Sequence, residues 1–379
     1  MRYSQPTPII FGPGIIKTLG AEAKELGCTK VMLVSGPTGP KREAYKAGLA
    51  SLQEAGISVV EFNEIPGDPP DYIIDKGGEI AVREQIDGIV AIGGGSPMDA
   101  AKGINILLKN PPPINNYFGQ YFPPYVPVIL VPTTAGTASE VNMICVVTDT
   151  TNHVKRSVRS SGTIGILDPE LTISMPPDTT AATAMDAFAH SAEAITSNGW
   201  NPMSELLATK ALSLSVANCR RVMDVPDDVE ARSHMQLAAN FAGIAFSNSM
   251  VHLGHAIAHA LGAQLHIMHG VGCALQIAEV MRFVAPVRSD KVRVVGESIG
   301  LAFTGEETPE EIGDIVAAAI FGHIRKLEIP SLSAQGFTRE QVVACAEAVL
   351  EEPMINIAPR KPTVEQVREI IGAMYDNYK

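Results

Sequence analysis

"GIVAIGGGSPMDAAK", residues 88–102, decides how the first half of this chain is read. An apolar run, Ile89 to Ile92, ends in three glycines and leads into helix-start chemistry. Ser96 is placed to cap the helix, Pro97 to sit in its first turn, and Asp99, three residues on, to close a capping box. Gly93, Gly94 and Gly95 would let a phosphate approach bare backbone, and the helix N-terminus would add N–H donors. The same residues also make an ordinary tight turn with no ligand. The spacing is not G-x-G-x-x-G, and the strand is an inner one, so the glycines alone leave both readings open.

Working outward, "KVMLVSG" (30–36), "ISVVEF" (57–62), "PVILVPTT" (127–134) and "GILDPEL" (165–171) read as further strands. β-Branched residues dominate them, and Gly, Pro or Thr end them. Helical stretches such as "REAYKAGLASLQEAG" (42–56) lie between, which is the α/β pattern of a mostly parallel sheet. "PPINNYFGQYFPPYVP" (112–127) reads as a surface loop. "VPTTAGTASE" (131–140) offers the hydroxyls of Thr133, Thr134 and Thr137 beside Gly136, a polar lining that is common at strand ends. After "MPPDTT" (175–180) the pattern changes to long Ala- and Leu-rich segments of period 3 to 4, with no convincing strand. The expected organisation is an α/β domain over 1–178 and an all-helical domain over 179–379, divided near Pro176-Pro177.

The chain has 379 residues, a net charge of −12 and 46% hydrophobic content. Two domains with full cores are expected at that length. The acidic balance argues against a nucleic-acid or anionic-membrane partner. No uncharged apolar run of membrane-spanning length appears, and "MRYSQPTPIIFGPG" lacks a signal-peptide h-region. Cys28, Cys145, Cys219, Cys273 and Cys345 are odd in number and scattered, which reads as reduced thiols in a cytoplasmic protein, not a disulfide framework or a Cys-type zinc site.

In the helical half, "MDAFAH" sets Asp186 and His190 at i, i+4, on one helix face. His255 and His259 repeat that spacing, and His252 shares their face. Five of the chain's 9 histidines lie between 252 and 269. Neutral imidazole plus carboxylate suits a divalent first-row metal. A hydrogen-bonded core histidine and a solvated helix carboxylate are the plain alternatives, and spacing does not say which of His252, His255, His259, His266 and His269 bind.

The motifs "FGPG" (11–14), "GGGSPMDAAK" (93–102), "PTTAGTASEV" (132–141), "LDPELTISMPP" (167–177), "MDAFAHSAEA" (185–194), "HAIAHALGAQLHIMHG" (255–270) and "NIAPRKPT" (356–363) carry a resemblance. Taken together, the chain resembles the iron-containing (group III) alcohol dehydrogenases essentially end to end. The resemblance implies an α/β N-terminal dinucleotide-binding domain plus an all-α C-terminal domain, the dehydroquinate synthase-like architecture, with the active site in the cleft between. It implies metal ligands Asp186, His190, His255 and His269. His259 is implied as a proton-relay residue near the nicotinamide, not a ligand, and His252 and His266 have no family role. For the cofactor it implies Gly93, Gly94, Gly95, Ser96, Pro97 and Met98, with Asp99 supporting the turn, and Thr133, Thr134 and Thr137. Gly36, Asp68 and Lys155 complete the positions implied near the nucleotide.

Two departures from the family pattern stand out. Met268 replaces the usual Pro before the last ligand His, which removes no donor. Gly36 stands where NAD-using members commonly carry an Asp that binds the adenine ribose and repels a 2′-phosphate. With Lys41 and Arg42 close by, acceptance of NADPH is expected. The implied reaction is reversible hydride transfer between a small primary alcohol, diol or hydroxy acid and NAD or NADP, giving an aldehyde. Fe2+ is the implied metal, acting as a Lewis acid on the alcohol oxygen; the donors suit Zn2+ as well. A homodimer or larger homo-oligomer is expected. A maleylacetate reductase-like or glycerol dehydrogenase-like enzyme of the same fold is the second reading. A phosphate-eliminating cyclase related to dehydroquinate synthase is disfavoured, because the His-rich segment lacks the basic residues a phosphorylated substrate needs.

Overall fold

Short β-branched runs broken by Gly and Pro pair as parallel strands when helices return the chain to the same sheet edge. The computed structural model describes residues 3–5, 7–152 and 154–379. Its strands are β1 (Ile9–Phe11), β2 (Lys30–Val34), β3 (Ser58–Phe62), β4 (Gly88–Gly93), β5 (Val128–Pro132), β6 (Ile144–Asp149), β7 (Val154–Arg159) and β8 (Ile164–Leu167). Among them run α1 (Leu19–Glu25), α2 (Glu43–Glu54), α3 (Asp71–Arg83) and α4 (Gly95–Leu107).

A six-stranded sheet has the order β1-β8-β5-β4-β2-β3, parallel throughout. From β2 the chain moves outward to β3, then returns to place β4 on the other side of β2. That reversal is a topological switch point, where ligands of open α/β sheets bind beyond the strand C-termini. Gly36 follows β2 and Gly94 follows β4, so both lie at that edge. Two apolar layers cover the sheet; one includes Met32, Ala91, Met98 and Ile104, the other Val31, Val90, Leu19 and Leu52.

The sequence reading missed β1, which is only 3 residues long, and the antiparallel hairpin β6–β7. It also carried the strand ends too far, since β4 stops at Gly93 and β8 at Leu167, where a 3₁₀ turn begins. Most of 112–127 is irregular, with a 3₁₀ turn at Ile114–Tyr117.

The rest of the chain is helical: α5 (Pro177–Thr196), α6 (Pro202–Asp224), α7 (Val229–Ser249), α8 (Leu253–Leu265), α9 (His269–Ser298), α10 (Pro309–Lys326), α11 (Arg339–Val343), α12 (Ala346–Glu351) and α13 (Val364–Asn377). The compact units are Gln5–Met175 and Pro176–Lys379, the latter joined by the first residues of the chain. α5 packs against α6, α7 and α9, and it is buried almost all round, which its Ala-rich sequence permits. α9 is long and apolar enough to cross a membrane by length and composition, but 78% of that window is buried inside the protein. It bends where Pro286 and Arg288 interrupt the helical backbone.

Candidate metal centre and dinucleotide cradle

The first unit carries the glycine turn. Gly94 is the N-cap of α4 in extended conformation, and no side chain caps the helix. This corrects the capping reading of Ser96 and Asp99. The helix already starts at Gly95, so Ser96 lies inside the first turn, where its hydroxyl accepts the Asp68 N–H at 3.2 Å. Asp99 turns away from the N-terminus. Its carboxylate accepts the Val146 N–H at 3.0 Å and the Ser139 hydroxyl.

Lys102, one turn on, is fully buried, with Nζ bonded to Ser139 Oγ (2.7 Å), Ile144 O (2.8 Å), Asn142 Oδ1 (3.3 Å) and Asp99 Oδ1 (3.3 Å). A buried ammonium is tolerable only when paired and bonded in this way. The network ties the first turns of α4 to the 139–146 segment.

The glycines make a cradle that side chains would fill. A Cβ on Gly95 would lie 3.0 Å from Thr137 Oγ1, and one on Gly93 would lie 2.8 Å from Pro97. A Cβ on Gly94 would face Thr134 at 3.4 Å. Thr133 joins through its N–H to Gly93 O at 2.8 Å. Asp68 stands alongside in a left-handed conformation (φ 52°), with Lys155 Nζ 2.7 Å from its carboxylate. Gly36 has Ile65 O 3.0 Å from where a Cβ would sit, and Lys41 and Arg42 after it are exposed. Bare backbone, uncapped helix N–H groups and hydroxyls at a switch point fit a dinucleotide phosphate. Met98 is the exception among the expected contacts: it is wholly buried in the sheet core and supports the turn from beneath.

The second unit gathers the metal-type donors. Asp186 on α5, His255 on α8, and His269 and Cys273 on α9 place their ligand atoms within 4.8 Å of one another. Asp186 Oδ1 is 3.6 Å from His255 Nε2 and 3.4 Å from His269 Nε2. His190 stands at the edge of the group, its ring stacked on His255 at 4.4 Å and on Phe246 at 4.3 Å. Its Nδ1 is buried, 3.6 Å from Asp186 Oδ1, and has no hydrogen-bond partner.

Close helix approach brings these groups together. A Cβ on Gly270 would lie 2.2 Å from Ala182 O, so only glycine lets the start of α9 rest on α5 and set His269 over Asp186. Gly254 likewise makes room for the Gln276 side chain between α8 and α9.

Glu193, one helical turn beyond His190, is fully buried. It accepts backbone N–H bonds from His252 (2.9 Å), Gly254 (2.8 Å) and His255 (3.2 Å), capping α8. It also pairs with His255 Nδ1, which leaves Nε2 turned to Asp186. Burial raises the Glu193 carboxyl, but His255 and His252 outweigh it and hold the group down at about 2. Burial pushes the His190 imidazole down to about 3, which keeps it neutral. Burial also opposes ionisation of Asp186, yet the surrounding imidazoles hold it well below its usual range. An orphaned buried imidazole nitrogen, a charged carboxylate and an imidazole anchored through Nδ1 together fit a divalent metal.

His259 is absent from that group. It is partly exposed and pairs through Nδ1 with Glu352 at 3.3 Å. Burial pulls it below its ordinary value, against the pull of Glu352. His252 is buried and bonded to Thr196 Oγ1 at 2.9 Å, and His266 is exposed at the left-handed end of α8.

Residues 6–169 match the family model for iron-containing alcohol dehydrogenase, and residues 180–375 match that of the Fe-containing alcohol dehydrogenase family, C-terminal. The chain belongs to the iron-containing alcohol dehydrogenase family. It is 34% identical to the 1,3-propanediol dehydrogenase of Citrobacter freundii and 31% identical to the NAD-dependent methanol dehydrogenase of Bacillus methanolicus, each match covering 97% of both chains. A crystal structure of a 1,3-propanediol oxidoreductase superposes with a TM-score of 0.94 at 33% identity, covering 99% of each chain. As a member of this family the protein is an oxidoreductase, an NAD(P)-linked alcohol dehydrogenase or aldehyde reductase.

Sequence reasoning missed Glu193, Glu352 and Cys273. Glu193 had a signal, since Asp186, His190 and Glu193 fall at i, i+4, i+7 on one face of α5. Cys273 had one too, at i+4 from His269. Glu352 had none, because 93 residues separate it from His259.

Proposed function

We propose that the protein interconverts a small primary alcohol, diol or hydroxy acid and its aldehyde, with a divalent metal held by Asp186, His190, His255 and His269. The observation that carries this reading is the convergence of three buried helices on a carboxylate and imidazoles, with an unpartnered nitrogen on His190. When bound, a metal would supply Lewis acidity toward the alcohol oxygen, and a nicotinamide would supply the hydride acceptor. Asp186 contributes the negative charge that balances the metal. Glu193 keeps the His255 proton on Nδ1 so that Nε2 is the ligating atom. His259, outside the ligand group and bonded to Glu352, takes the substrate proton and passes it outward.

In the same reading residues 1–178 form the dinucleotide domain and 179–379 the metal domain. Gly93 to Pro97 hold the pyrophosphate, Thr133, Thr134 and Thr137 line it, and Asp68 and Lys155 flank it. Gly36 leaves room for a 2′-phosphate, so NADP is used alongside NAD. Fe2+ is the metal of the family, and Zn2+ suits the same donors. A homodimer or larger homo-oligomer in the cytoplasm belongs to the same proposal. Five free, buried cysteines support a reducing compartment, and sizing chromatography tests the assembly.

The test is the absorbance at 340 nm of NADH or NADPH consumed with a short aldehyde, before and after metal removal and with Fe2+ or Zn2+ restored. Turnover that survives metal removal overturns the proposal. So does an enzyme that reduces only oxo-acids such as maleylacetate.

A further inference from the structure

Cys273 differs from the other thiols in what it faces. Cys28, Cys145 and Cys345 point their sulfurs at backbone carbonyls, those of Asp87, Asp99 and Gln341. Cys273 Sγ lies 3.6 Å from Asp186 Oδ1, 3.6 Å from His269 Nε2 and 3.8 Å from His255 Nε2. His269 and Cys273 sit one turn apart on α9, so one helix face presents both.

These spacings can be set against a metal site. Zinc bonds of about 2.3 Å to sulfur and about 2.0–2.1 Å to nitrogen or oxygen, at tetrahedral angles, put S···N and S···O about 3.6 Å apart and N···O about 3.4 Å apart. The sulfur distances of 3.6, 3.6 and 3.8 Å and the N···O distances of 3.4 and 3.6 Å lie close to those values. A second observation is independent of the sulfur. His190 is only 6% exposed, and its Nδ1, beside Asp186, has no hydrogen-bond partner.

We propose that Cys273 is a metal donor through its thiolate, joining Asp186, His255 and His269 around the ion. The proposal rests on the metal-site reading above and deepens it; His190 then makes a fifth donor. Binding replaces the S–H bond by a sulfur–metal bond, the proton goes to solvent, and no electron moves. A soft thiolate among the donors favours zinc.

The test uses the full-length wild type and Cys273→Ser, stripped of metal by chelator and loaded with Co2+. The wild type is expected to show a thiolate-to-cobalt charge-transfer band in the near ultraviolet. Cys273→Ser should lose that band while keeping the visible cobalt bands of the imidazole and carboxylate ligands. Its zinc affinity, read by chelator competition, should fall by at least about tenfold. A cobalt-loaded wild type with no near-ultraviolet band overturns the proposal but leaves the metal site standing. A band or zinc affinity unchanged in Cys273→Ser also overturns it. A wild type that takes up no cobalt overturns the metal site itself. If Cys273→Ser does not fold, Cys273→Ala removes the sulfur at lower polarity, and the wild-type spectrum decides without either variant.

Discussion

Glu193→Gln should weaken metal binding by about 10–100-fold while leaving the chain folded. The carboxylate faces donors only: the N–H groups of His252, Gly254 and His255, and Nδ1 of His255. Glutamine offers one acceptor and one donor group, so either orientation sets a donor against a donor. With the amide NH₂ toward His255, Nδ1 must become the acceptor and the proton moves to Nε2, the atom turned to Asp186. Loss of such an orienting partner costs about 10–100-fold in metal affinity, or about 1.4–2.7 kcal/mol. With the amide oxygen on the other side, the His252 and Gly254 bonds lose about 1 kcal/mol each and the His255 N–H loses its acceptor at about 1–3, about 3–5 in all. A domain stable by about 5–15 kcal/mol survives that loss. Glu193→Ala would instead leave three buried N–H groups bare at about 1–3 kcal/mol each, which is why glutamine is the informative change. Isothermal titration with Zn2+ reads the affinity, and thermal unfolding of the metal-free protein reads the stability. Wild-type affinity in a folded Glu193→Gln protein would refute the role assigned to the His255 tautomer.

Other expectations concern the remaining parts of the site. His259→Asn should slow turnover by about 10²–10⁴-fold and change its pH profile with metal content unchanged, as elemental analysis checks. Glu352→Gln should shift the acid limb of the same profile downward, because it removes an anion that favours the His259 cation; an unmoved limb would detach Glu352 from the relay. Gly36→Asp should move the NADH/NADPH preference toward NADH by about tenfold or more, read as the ratio of kcat/KM values. The fourth concerns acid stability. Burial tends to raise Asp71, but bonds from Asn115 and Thr150 hold it below its ordinary 3.8. Its folded-state pKa being lowered, the stability it lends is present above 3.8 and fades as pH falls through that lowered value. The difference in Tm between wild type and Asp71→Asn should therefore shrink on acidification below about pH 4.

Most of the sheet was legible because its strands announce themselves as apolar runs with glycine or proline ends. The hairpin β6–β7 was not, although burial along β6 alternates strictly, because its sequence "ICVVTD" is apolar on four successive residues and hides the period. The reading of Ser96 and Asp99 as a capping box failed for a definite reason. The pattern S-x-x-D was present, but three glycines let the helix begin two residues early, and a buried lysine competed for the aspartate. The histidine i, i+4 pairs pointed to helices whose donor atoms come together, without choosing among their members. Choice depends on what each ring meets across helices, such as Glu193 for His255 and Glu352 for His259, and no spacing along one helix records that.

Lys102 has a consequence for how the cofactor is received. Its ammonium ties α4 to Ser139, Asn142 and Ile144, in the stretch that follows Thr137, and it is fully buried. If these segments hold the dinucleotide as proposed, their backbone is positioned before it arrives. Association then spends little of its free energy on ordering protein, and affinity is set by the contacts themselves. Weakening this internal tether would show first as a slower, looser capture of nucleotide by a cradle whose contact residues are all still present.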